Sequence, residues 1–124
     1  MNPEALLTLG GLLCIVFAVF HLFFWKLFRW NTELAKLTSL NRAVMQILNL
    51  CLTFVFVMVA YISLVHAREL LTTALGQALL LLIAAFWYLR AIEQIWFFGL
   101  KKPLSLLFFL IFVMGGLLYT APVL

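Results

Sequence analysis

Charge is what this sequence has least of. Of its 124 residues four are acidic and eight basic, so charged side chains make up 10% of the chain, against about a quarter in an ordinary soluble domain. With 68% of the residues apolar, the polar surface that a water-soluble globule needs is missing, and lipid is the expected solvent for most of the chain. Linkers rich in glycine, serine or proline, low-complexity tracts and internal repeats are also lacking, which predicts a single domain over residues 1–124. Gly-rich phosphate loops, HExxH and GxSxG do not occur, so the enzyme classes built on them are excluded and a non-enzymatic role is the better expectation. The start, Met1-Asn2-Pro3-Glu4, lacks the basic region of a secretory signal, so the first apolar run is expected to remain as a helix.

What is present is aromatic and aliphatic: 13 phenylalanines and four tryptophans, gathered into four long apolar runs. They predict spans at 5–28, 43–65, 70–98 and 104–120, hence an all-α integral membrane protein, an antiparallel bundle of four transmembrane helices. At about 1.5 Å per residue the first run matches a hydrocarbon core about 30 Å thick, and Trp25 and Trp30 mark its exit at the interface. Thr38 or Ser39 is suited to cap the second helix. The third exceeds the thickness of the hydrocarbon, so it must tilt or project into the headgroups before Gly99 and Pro103 end it.

Four spans put both termini on one side. Lys26, Arg29, Lys36 and Arg42 lie in or beside loop one, and Arg90, Lys101 and Lys102 in or beside loop three, whereas loop two has Arg68 next to Glu69. Basic residues stay on the cytoplasmic side, so loops one and three are expected in the cytosol and both termini outside, in an inner membrane of bacterial type. Lys26, Arg29, Arg42, Lys101 and Lys102 are then candidate contacts for lipid headgroups. The formal net charge of +4 is split among membrane exits and forms no groove-sized patch, which argues against nucleic acid as a partner.

Polar residues inside the runs mark the candidate site. His21 lies eight residues before Arg29 and Asn49 seven after Arg42, placing both about 10 to 12 Å inside the cytoplasmic edge. Gly11, Cys14, Ala18 and His21 form one small or polar stripe. Arg42, Gln46, Asn49 and Thr53, followed by Ala60 and Ser63, form another, so helices one and two should pair through these faces. A polar pocket open to the cytosol would draw on His21, Gln46, Asn49, Arg90 and Glu93. The bland readings stand beside this one: His21 satisfied by a carbonyl or by Asn49, Asn49 holding two helices together, and Arg90 with Glu93 as an i,i+3 ion pair in the headgroup layer. Gly116 and Thr120 have a spacing that lets backbones approach closely.

Sharper chemistry does not emerge. His21 and His66 differ by roughly 24 Å in level, too far to grip one haem within a chain. Cys14 and Cys51 differ by about 9 Å, beyond comfortable disulfide reach, and read as packing residues. No metal-ligand cluster stands out and no cofactor is expected. The leading expectation is a small membrane subunit that assembles with itself or with a larger membrane protein, with a cytoplasm-facing site for lipid or a small molecule. The alternatives are a transporter or channel component, with a wet route from His21, Asn49 and Gln46 to Gln77 and Ser63, and a membrane enzyme or redox subunit acting on a lipid or quinone, with His21 as acid or base.

Overall fold

A computed structural model describes all of residues 1–124, and it is all-α, with no strand. Helix α1 spans Pro3–Leu22: the Asn2 side chain accepts from the Glu4 amide at 2.7 Å, Pro3 opens the first turn, and Glu4 sits where the helix dipole favours an acid. Two one-turn helices follow, α2 at Phe24–Leu27 and α3 at Trp30–Glu33, separated by Arg29 in the left-handed region at φ 53°. A non-glycine residue there costs about 1 kcal/mol or more. The turn is held because Trp30 and Leu34 bury themselves beyond it, and because Arg42 donates to the carbonyls of Leu34 and Leu37 at 3.0 and 3.2 Å.

Helix α4, Ser39–Val65, begins where the Thr38 hydroxyl accepts from the Asn41 amide. After the short α5, Ala67–Thr72, the hydroxyl of Thr73 donates to the Glu69 carbonyl at 2.7 Å and accepts from the Gly76 amide at 2.9 Å, ending one helix and starting α6, Ala74–Phe98. Gly99, at φ 70°, stops α6, and Pro103 opens α7, Pro103–Thr120. Helices α1, α4, α6 and α7, with the short turn after α7, are each long and apolar enough to cross a membrane.

The boundaries differ from the sequence expectation in two instructive places. The first run does not continue as one helix to residue 28, since the chain turns at Phe23 and Arg29 to bring Trp30 back onto Phe24. The third begins at Ala74 instead of residue 70, because a threonine hydroxyl competes successfully for backbone partners at 73. The second starts earlier, at Ser39, and the fourth at Pro103.

The long helices pair as two antiparallel hairpins. In the first, α1 lies on α4: Gly11 faces Ser63 and Leu64 at one end, and Asn49 Nδ2 donates to the His21 carbonyl at 3.0 Å towards the other. In the second, α6 lies on α7 with Gly115 against the Trp87 ring and Gly116 against the Tyr88 ring. The hairpins meet chiefly where α1 touches α7, around a core that includes Leu7, Cys14, Phe17, Leu80, Trp87 and Tyr119. At the end holding the termini, the Tyr119 hydroxyl joins three helices, 2.8 Å from Ser63 Oγ and 3.7 Å from Cys14 Sγ.

Candidate functional site

Between the hairpins, at the end of loops one and three, lies a cavity of about 570 Å³. Its first wall follows from spacing on α1: Phe17, Phe20, His21 and Phe24 fall three and four residues apart and so share a face. Helix α4 adds Leu52 and Phe56, α6 adds Trp87, Arg90 and Gln94, and α7 adds Ser105, Phe108 and Phe112. Phe17 is the floor, its ring centroid 5.3 Å from that of Trp87 and 5.7 Å from those of Phe56 and Phe112. Rings of this size meeting edge-on or tilted hold helices apart, where glycine would let them close.

Polar groups are few and directional. Arg90 donates to Gln94 Oε1 at 3.1 Å, Gln94 Nε2 donates to Ser105 Oγ at 2.8 Å, and Ser105 Oγ donates to the Gly99 carbonyl. The Arg90 guanidinium also lies 4.5 Å over the Phe112 ring, a cation–π contact. Lys102 stands exposed on the same wall, and no acidic residue lines the cavity.

His21 is buried among Phe24, 4.4 Å away between ring centroids, and Phe56 at 5.2 Å. Its Nδ1 is 2.7 Å from the Phe17 carbonyl, so Nδ1 carries the proton and, in the neutral ring, Nε2 is left as an acceptor. The levels of His21 and Asn49 match, but the carboxamide bonds the histidine's backbone carbonyl and not its imidazole. Asn49 Oδ1 is buried without a partner.

Of the five residues expected to share a pocket, His21 and Arg90 line this cavity; Gln46, Asn49 and Glu93 do not. Gln46 instead donates to the Arg42 carbonyl one turn back. Arg90 and Glu93 form no ion pair; the guanidinium is bonded to Gln94 and lies over the Phe112 ring of α7. Of the expected headgroup contacts, Lys26, Arg29, Lys101 and Lys102 are exposed, while Arg42 is committed to closing loop one. Gln94 and Ser105 were not among the expected pocket residues, although they flank the Gly99–Pro103 break between two helix ends.

Elsewhere, an apolar hollow of about 190 Å³ lies between α4 and α6, sharing Phe56, Phe86 and Trp87 with the larger cavity. In loop two, the backbone amide of Glu69 and the His66 ring 3.5 Å away hold the Glu69 carboxyl below its ordinary value. No group of three or more histidine, cysteine or acidic side chains gathers as a metal site would.

Fold and site together define a small all-α chain with four span-length helices and an aromatic cavity tipped with positive charge. Comparison with known protein families, with curated proteins and with solved structures gives no match.

Proposed function

We propose that this chain is an integral inner-membrane protein whose cavity binds an amphiphilic molecule, acting as a binding subunit and not as an enzyme. The membrane reading is supported by the outer surface: only 26 of 124 residues are buried, and α1, α4, α6 and α7 turn large side chains such as Val16, Phe54, Leu82 and Leu110 outward. Seven of the eight basic residues cluster at the end of loops one and three, leaving Arg68 alone at the other, which favours cytosolic loops one and three with the termini outside.

The observation that carries the binding reading is the cavity itself. Its size falls within the range of small-molecule sites, about 300–1,000 Å³, and an apolar wall with a few convergent polar groups is their usual make-up. A passage through one chain is disfavoured, since Leu7, Leu80 and Tyr119 are fully buried at the other end. Catalysis is disfavoured because His21 has one nitrogen committed and neither an acid nor a nucleophile beside it on the cavity wall.

Two measurements test this. The protein should stay in the membrane pellet after alkaline carbonate washing; release into the supernatant contradicts the spans. In a non-ionic detergent, titration with single-chain amphiphiles should saturate at one per chain by native mass spectrometry and raise Tm with concentration. The absence of both for every chain length tried removes the binding reading.

A further inference from the structure

We infer that the cavity's ligand is a single-chain amphiphilic oxyanion, its carboxylate or phosphate paired with Arg90 and its hydrocarbon chain laid among the phenylalanines of α1 and α7. This inference rests on the binding reading above and specifies the ligand's chemistry.

Arg90 is the anomaly that points to it. It belongs to a span-length helix and is half-buried, yet no carboxylate lies within ion-pair distance of it. A guanidinium has five N–H donors. Its side-chain hydrogen bonding amounts to one, to Gln94 Oε1, with the Phe112 ring covering one face. Gln94 is itself fixed, its amide nitrogen donating to Ser105 Oγ and Ser105 donating in turn to the Gly99 carbonyl. The chain of donors therefore fixes where the guanidinium sits without satisfying it.

A cation left in apolar surroundings without a counter-charge is costly, and charged residues within spans pair or mark a ligand path. Here the neighbouring acid, Glu93, lies beyond ion-pair distance and off the cavity wall, and the only other charge on that wall is Lys102, also positive. An oxyanion supplies what is missing: two acceptor oxygens for the guanidinium fork and a charge that Lys102 reinforces. Below that head Phe20, Phe24, Leu52 and Phe108, with the His21 ring among them, make a mostly apolar wall that suits an acyl chain. Fatty carboxylates and lipid phosphate monoesters share this chemistry.

The test uses the full chain in a non-ionic detergent at neutral pH with three probes: oleate, methyl oleate and oleyl phosphate. One or both oxyanions should bind about tenfold or more tighter than the neutral ester, the size expected of a charge-assisted pair. Arg90→Gln should erase that preference while methyl oleate still binds, and Arg90→Lys should keep part of it. A stronger effect for oleate than for oleyl phosphate, or the reverse, supports the inference and assigns the headgroup. Equal binding of ester and oxyanions to the wild-type protein overturns the inference and leaves the binding reading intact; binding of none overturns both. If Arg90→Gln does not fold, the wild-type ratio of oxyanion to ester still decides.

Discussion

The two ends of this bundle solve the same packing problem with opposite residues. Near the termini the helices meet on glycine: a methyl group added at Gly10 would lie 2.8 Å from the Tyr119 ring, and one at Gly115 2.6 Å from Trp87. Hydroxyls then tie the faces together, Tyr119 to Ser63 at 2.8 Å and Tyr88 to Thr120 at 3.1 Å. Near loops one and three the helices meet on phenylalanine, and rings such as Phe20 and Phe108, 5.7 Å apart between centroids, leave room between the hairpins. Where packing must come from van der Waals contact and interhelical hydrogen bonds, small residues close a bundle and large ones prop it open. One end of the molecule is thus a clamp and the other a socket.

The strongest way to break the comparison is to spoil the closed end. Gly76→Ala would set a Cβ 2.5 Å from Leu70 Cα, and backbone cannot step aside as a ring can. We expect a loss of stability at or above the top of the usual overpacking range, about 3 kcal/mol, read from thermal unfolding in micelles. Tyr119→Phe comes next: it leaves the fully buried Ser63 hydroxyl without a partner and should cost about 1–2 kcal/mol. A cycle with Ser63→Ala should recover a coupling between about 0.6 and 1.7 kcal/mol, the range for hydrogen bonds between membrane helices.

The open end should forgive more. Phe108→Leu changes a half-buried ring facing existing space, so we expect about 1 kcal/mol or less, with amphiphile affinity moving more than Tm. A cost equal to that of Tyr119→Phe would show the socket to be packed after all. The smallest effect belongs to Glu69→Gln, in loop two. The Glu69 carboxyl titrates below its ordinary value of 4.5 in the fold, so its contribution is present above that value and is lost as pH falls through the lower one. The variant should therefore flatten the decline of Tm only in that acid window and leave neutral-pH stability nearly unchanged, since the pair is exposed.

The four long helices were legible because apolar length is read along the chain. The inward stripes were legible too, since Cys14, Ala18 and His21 on α1 and Asn49, Thr53, Ala60 and Ser63 on α4 are all buried. The break at Thr73 was not, because a threonine inside an apolar run signals nothing until its hydroxyl chooses local backbone partners. Nor was the socket. Phe17, Phe20, Phe24, Phe108 and Phe112 keep helical spacing, but lipid-facing and cavity-facing phenylalanines look alike in sequence, and only the packing of α1 against α7 separates them. Arg90 was visible as a charge in a long helix; its bond to Gln94 was not, because Gln94 is held by Ser105, a residue from the next helix.

The most direct test of a closed clamp and an open socket uses the protein's own tryptophans. Trp25 and Trp96 are exposed, whereas Trp30 and Trp87 are buried and line the cavity. In a Trp25→Phe, Trp96→Phe variant, a bromine-labelled single-chain amphiphile should quench the remaining fluorescence saturably, because both rings line the socket, Trp87 also bordering the smaller hollow between α4 and α6. Fluorescence that is unaffected, or that falls in simple proportion to probe with no saturation, would contradict the account.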